Sequence, residues 1–267
     1  MGQRNGVKVL NVVSEAARLW HIWLRIGFQD LGIRYRRSVI GVGWIFLNIA
    51  VLITAIGVIY SNLLGQDMST FLPFLTIGLI LWGYLTSSIV DGSNAFISSE
   101  GYIKQIGLPI YIYVFRYFVS ITITMLITLP AFFLIAIIYS VKFRLGVLWG
   151  FGGVFMLTAV GFLMIAIFSH LNARFRDAGH MASIGLQVMF FVTPVIWPPE
   201  IIRSRGLNWI VDFNPFFHLI EIVRHPLLHS EPAEIMNYLV VFVLIGALVS
   251  VAWFLTKKYN HAIAYLL

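Results

Sequence analysis

The chain has no cysteine, which rules out a disulfide framework and any cysteine-based metal site. Charge is scarce. Only 11% of the residues are Asp, Glu, Lys or Arg, where a soluble domain carries about a quarter. The apolar stretches hold almost no ionisable residue, which counts against a proton- or ion-coupled carrier, because such carriers keep titratable groups inside the bilayer. No G-x-x-x-x-G-K-[ST] occurs, so the chain does not cradle nucleotide phosphates as a P-loop would. G-x-S-x-G and H-E-x-x-H are missing as well, and no catalytic residue is assigned. The first 38 residues contain Arg4, Lys8, Arg18, Arg25, Arg34, Arg36 and Arg37 and no unbroken apolar run, unlike a cleaved signal peptide.

What is present is apolar surface. Of 267 residues, 60% are hydrophobic, and the mean hydropathy is +0.90. This is the composition of an all-α, polytopic membrane protein. A spanning helix needs about 20 apolar residues. Six segments qualify: Val39–Tyr60, Phe71–Ile89, Tyr117–Tyr139, Leu145–Phe168, Met181–Trp197 and Ile235–Leu255. The fifth is the shortest and contains Pro194. Six spans put both termini on one side. With the termini in the cytoplasm, that side holds the basic residues of the N-terminal 38, with Lys104, Arg116, Arg174, Arg176, Lys257 and Lys258. The opposite side holds only Lys142, Arg144, Arg203, Arg205 and Arg224, with Asp67, Glu200, Asp212, Glu221, Glu231 and Glu234. The positive-inside rule therefore gives an N-in, C-in protein. It would have a cytoplasmic N-terminus (1–38), a transmembrane domain (39–256) and a cytoplasmic tail (257–267). The net charge of +7 then reflects topology and anionic lipid, not nucleic acid.

Three non-spanning segments need an explanation. In Glu15–Ile33, Leu19, Ile22, Trp23 and Ile26 fall on one helical face and Arg18, His21, Arg25 and Gln29 on the other. Phe28 and Asp30 break the pattern. This reads as a basic, tryptophan-bearing amphipathic helix in the membrane interface, with Arg18, Trp20, Trp23 and Arg25 as its marked residues. It is either a lipid anchor alone or also a partner contact. The segment "ISSEGYIKQIGLPIYIYVFR" (Ile97–Arg116) separates the second and third spans. Leu108-Pro109 should end any short helix there. The segment is longer than a minimal connection of about 2–6 residues. It mixes Ile97, Tyr102, Ile103 and Ile106 with Glu100, Lys104 and Gln105, which fits a docking element better than a solvated turn. The loop 198–232 should form two short helices broken at Asn214-Pro215, with Asn214 capping the second and Pro215 at its first position. It is a candidate gate on the outer side.

Other features stay ambiguous at this stage. His218, Glu221, His225 and His229 share a helical stripe that could hold zinc. Against this, Pro226 should kink that helix, and Glu221 with Arg224 is an ordinary i, i+3 ion pair; no metal is assigned. Gly146 and Gly150 form a lone G-x-x-x-G. The deeper aromatics Trp44, Trp82, Tyr84, Phe190 and Phe191 either pack and face lipid or line a path for a sugar chain, since aromatic faces stack on apolar sugar faces while tolerating sliding.

"IRYRRSVIGVGW" (Ile33–Trp44), "EGYIKQIGLPIYIYVFR" and "NPFFHLIEIVRHPLL" (Asn214–Leu228), in this order, resemble the permease subunit of ABC-2-type exporters of polysaccharides and polyol phosphates, closest to the O-antigen and teichoic acid branch. The resemblance implies a homodimer served by two copies of a separate ATPase, with ATP and magnesium bound by that partner and no cofactor bound by this chain. It makes residues 97–108 an ATPase-coupling segment, with Glu100, Tyr102, Lys104 and Gln105 as contacts. It makes residues 198–232 an outer gate, with Trp197, Asn214, Pro215, Glu221 and Arg224 as its residues. The substrate it implies is a glycan on undecaprenyl diphosphate, in a bacterial inner membrane. The alternatives are a capsule or teichoic acid polymer, a small amphiphile, or, in another class, a membrane enzyme acting on lipid-linked sugars.

Overall fold

The computed structural model describes residues 9–36 and 38–267. Arg4, Lys8 and Arg37 lie outside the described residues, as does the side chain of Arg34. The described residues form helices and connections without a strand. In chain order the helices are α1 (Val9–Arg18), α2 (Trp20–Tyr35), α3 (Gly43–Leu64), α4 (Met68–Val90), α5 (Glu100–Gln105), α6 (Tyr111–Ile138) and α7 (Leu148–Arg174). There follow α8 (Ala178–Val192), α9 (Pro199–Arg203), α10 (Asn208–Asp212), α11 (Pro215–His229), α12 (Ile235–Tyr259) and α13 (Ile263–Leu266). Single 3-10 turns at Gly92–Asn94, Ile97–Ser99 and Leu145–Val147 complete the set.

Five helices are long and apolar enough to cross a membrane: α3, α4, α6, α7 and α12. The expected fifth span is different. Its helix, α8, has 15 residues, or ~22 Å at 1.5 Å per residue, against a hydrocarbon core of ~30 Å. It ends because Thr193 precedes Pro194 and takes an extended conformation (φ −85°, ψ 137°). α6 begins before its predicted start and α7 ends beyond its predicted end, since Arg116 and Arg174 continue a helix once neighbours pack against it, whereas α3 starts later than predicted, at Gly43.

The chain reverses tightly between α3 and α4. Gly65 closes α3 in the left-handed conformation (φ 60°), where a Cβ is disfavoured. Asp67 then caps α4 by accepting from the Ser69 amide at 3.1 Å. α4 is the central helix, packed on α3, α6, α7, α8 and α11. Of its apolar window 67% is buried, against 11% for α3. On α7, small residues let other backbones close in. A Cβ at Gly153 would sit 2.2 Å from the Ile222 carbonyl oxygen, and one at Gly161 2.2 Å from the Tyr84 hydroxyl. Gly146 is pressed against the Ser230 carbonyl, while a Cβ at Gly150 would make only ordinary contact with Leu227.

The amphipathic segment is not one helix. It breaks at Leu19 (φ −87°, ψ 34°) into α1 and α2. The face of α2 that packs on α6 carries Trp23 of the predicted Leu19, Ile22, Trp23 and Ile26 stripe together with Gly27 and Asp30, which the pattern does not include. Gly27 sets that packing, because a Cβ there would lie 2.9 Å from Val119 Cγ1 and 3.0 Å from the Arg116 carbonyl oxygen.

The loop 198–232 holds three helices where two were expected. Gly206 (φ 74°) turns the chain between α9 and α10, and α11 runs through Pro226 without interruption from Pro215 to His229. α11 is no surface helix: Phe217, His218, Ile220, Val223 and Arg224 are all buried, against α4, α7 and α12.

Candidate functional site

Apart from the deeper aromatics, the predicted functional residues fall at the two ends of the helix bundle. At the end carrying α5, the helix follows the Ile97–Ser99 turn and stops before Leu108-Pro109. Glu100 and Lys104 pair with each other at 2.6 Å across one turn, and both remain exposed. The Lys104 ammonium, first by hydrogen bond and then by charge, holds the Glu100 carboxyl below the usual carboxylate range. Tyr102 and Gln105 project outward, while Ile103 packs onto the core.

Three polar ties hold the base of α5. Tyr117 donates to Ser98 Oγ at 2.9 Å, and Arg116 donates to Ser99 Oγ at 3.3 Å. The same Arg116 guanidinium forks onto Asp30 of α2, at 2.5 and 2.7 Å. Asn172 of α7 donates to the Ser93 carbonyl at 3.2 Å and to Asn94 Oδ1 at 3.3 Å, and accepts from the Gly179 amide of α8 at 3.2 Å. Asp30, off-pattern in the sequence, thus faces inward because its partner is on α6. Trp23 stacks on Phe115 at 4.9 Å and donates to the Ala16 carbonyl. Arg18, Trp20 and Arg25 are exposed.

The opposite end is knotted around the turn after α8. Asn214 accepts from the Phe216 and Phe217 amides at 3.0 and 3.3 Å, capping α11 above Pro215, and donates to Thr193 Oγ1 at 2.9 Å. Arg224 is 1% exposed. It donates to Glu221 Oε2 at 2.7 and 3.0 Å and to the Pro194 carbonyl at 2.7 Å, and its guanidinium lies 4.0 Å from the centre of the Phe74 ring. A charge removed from water needs this density of partners. Trp197 donates to the Phe191 carbonyl at 3.1 Å. It lines a 660 Å³ apolar groove with Tyr60, Phe191, Trp209 and Phe213.

The histidine stripe divides. His218 lies 2.6 Å from Asn237 Oδ1 and 2.9 Å from the Asp212 carbonyl. His225 instead packs against His229, tilted at 4.5 Å, and reaches Glu221 at 3.6 Å. Glu221, first by hydrogen bond, holds His225 above the ordinary imidazole value. Among the described residues no three His, Asp or Glu side chains converge to hold a metal.

The five deeper aromatics do not share one surface. Trp82 is buried against Phe190 at 5.6 Å and Phe216 at 5.4 Å, and Phe190 leads to Phe191 at 5.4 Å. Trp44 and Tyr84 line a separate 520 Å³ cavity between α3, α4 and α6. The Tyr84 hydroxyl points away from it toward the Thr158 carbonyl, at 3.4 Å.

The profile of the ABC-2 type transporter family matches residues 26–228, from α2 to the end of α11. The chain belongs to that family. As an ABC-2 family member it is similar to proteins named O-antigen export system permease protein RfbA. One from Klebsiella pneumoniae is 27% identical over 253 residues, covering 91% of this chain and 95% of the relative. A second from Klebsiella pneumoniae is 26% identical over 207 residues, covering 76% and 78%. One from Myxococcus xanthus is 22% identical over 237 residues, covering 84% and 88%. These relatives are transport permeases, and the ABC-2 family member described here is a multi-pass membrane protein of the same kind.

Proposed function

We propose that this chain is the membrane-spanning subunit of an ATP-driven exporter that moves a lipid-linked, O-antigen-like polysaccharide across the bacterial inner membrane. The observation that carries the reading is the likeness to O-antigen export permeases over nearly the whole chain. In this reading α8 and the turn after it complete a sixth crossing, and both termini face the cytoplasm. Residues 1–38 and 257–267 are then cytoplasmic and flank a 39–256 transmembrane domain. The α5 end is cytoplasmic, and the α9–α11 end is the outer gate. The chain works as a homodimer, because α3 and α8 are apolar yet little buried within one copy.

Two copies of a partner ATPase bind the exposed face of α5, with Glu100, Tyr102, Lys104 and Gln105 in the contact and the α1–α2 segment beside it. ATP and magnesium belong to the partner, and this chain holds no cofactor. Motor movement reaches α2 and α6 through Arg116 and reaches α7 and α8 through Asn172, as rigid-body motion of tied helices. The substrate is a glycan on undecaprenyl diphosphate, with Trp44, Trp82, Tyr84, Phe190 and Phe191 as candidate path residues.

The deciding experiment co-expresses the chain with a Walker A protein encoded beside it and reconstitutes both in proteoliposomes. A stable complex whose ATP hydrolysis drives entry of a labelled lipid-linked glycan supports the reading. Transport of a small amphiphile instead would reassign the substrate, and failure to form any complex would sink the exporter reading.

A further inference from the structure

Along α6, Arg116, Ser120, Thr124 and Thr128 recur every fourth residue. That spacing keeps side chains on one slowly winding face, ~18 Å long at 1.5 Å per residue. Two cavities lie against this stripe, of 520 and 250 Å³. They share Ser87, Ile121 and Thr124 in their walls, so they lie side by side along α6. Asn48 lines the space from α3 and Ser87 from α4, with Trp44 beside them. Polar groups aimed at acyl chains are costly, and spans turn them toward protein or a water-filled cavity.

The groups here still have hydrogen-bonding capacity. Thr124 donates to the Ser120 carbonyl at 2.9 Å and Thr128 to the Met125 carbonyl at 2.7 Å, which leaves their oxygens free to accept. The Asn48 amide is exposed at the mouth of the space. The charge balance decides the ligand class. Arg116 is neutralised by the forked Asp30 pair, and Asp91 adds a further negative charge at the α5 end, so the space does not suit a phosphate. Uncharged acceptors, one amide and an indole match sugar hydroxyls and apolar sugar faces.

We propose that this open seam between α3, α4 and α6 of a single protomer binds uncharged sugar residues of the exported glycan. The identity of the ligand rests on the export reading; the wall residues named for the seam all come from one chain.

The test places the photoreactive residue p-benzoylphenylalanine at position 124 of the purified full chain and, as a control, at position 137, where Ile137 is exposed on the same helix. Each variant is irradiated with a tritiated undecaprenyl diphosphate-linked oligosaccharide. The expected result is label at 124 and not at 137, removed by excess free oligosaccharide. Equal label at both positions, or competition by undecaprenyl phosphate but not by the oligosaccharide, overturns the proposal. With the probe at position 128, Asn48→Leu should cut labelling about tenfold, the equivalent of one good hydrogen bond, with an unchanged unfolding midpoint. Undiminished label in that variant also overturns it. Crosslinking needs neither ATPase nor transport, so its failure is distinct from failure of wild-type export in proteoliposomes.

Discussion

A single side chain, Arg224, ties together three parts of the chain that are far apart in sequence. From the sequence it reads as half of a helical i, i+3 pair with Glu221, and that pair is present. The sequence does not reveal that the guanidinium is buried, holds the Pro194 carbonyl and covers the Phe74 ring. Removing one member of a buried ion pair costs about 3–5 kcal/mol, so Arg224→Leu should lower stability by that order in a denaturation assay in detergent. Glu221 also sets a pH dependence. Its hydrogen bond raises His225 above 6.5, so the stabilisation from this contact is fully present below that pH and fades as pH rises through the folded-state value. The difference in melting temperature between wild type and His225→Ala should therefore be larger near pH ~6 than near pH ~9. Glu100 and Lys104 present the opposite situation. Their pair is exposed and contributes little to folding. Glu100→Lys combined with Lys104→Glu keeps the pair and reverses its polarity, so it should leave membrane insertion and melting unchanged. Pull-down of the partner ATPase should weaken; if both association and coupled export match wild type, these two residues are not the contact.

Among the elements, the long apolar helices were readable because hydropathy over about 20 residues needs no knowledge of neighbours. The Asn214-Pro215 helix start was readable too, since a cap is local chemistry. What escaped were features set by a distant partner. Asp30 looked like a flaw in an amphipathic pattern because Arg116 lies on another helix. Pro226 looked like a break, yet the packing of α11 against α7 carries the helix through it. The stripe at Arg116, Ser120, Thr124 and Thr128 was visible as a spacing, but it gains meaning only when the cavities beside α6 are known. Gly153 is the sharpest packing test. A methyl group there would enter the Ile222 carbonyl, so Gly153→Ala should destabilise by about 1–3 kcal/mol, while Gly152→Ala, with open space around it, should be neutral in the same melting assay.

For the whole molecule, the distribution of burial matters more than its amount. The bundle is organised around α4, and α3 and α8, each packed on it by one side, leave most of their apolar surface exposed. Because the chain has no cysteine, single cysteines can report directly on what covers them. Cysteine at Ile184 or Val188, on the bare face of α8, should form a disulfide-linked dimer in native membranes on mild oxidation. Cysteine at the buried Leu157 should not. Monomer at every α8 position would argue against a self-pairing role for this helix.

α8 is also fastened in an uneven way. Asn172 grips the Gly179 amide at one end, Asn214 and Arg224 grip Thr193 and Pro194 at the other, and most of the length between is bare. A rod pinned at both tips cannot slide along its axis without breaking a pin. Its inner side, with Leu186 buried and Phe190 against Trp82, holds its rotation too, so the bare face is offered to whatever covers it in one fixed orientation.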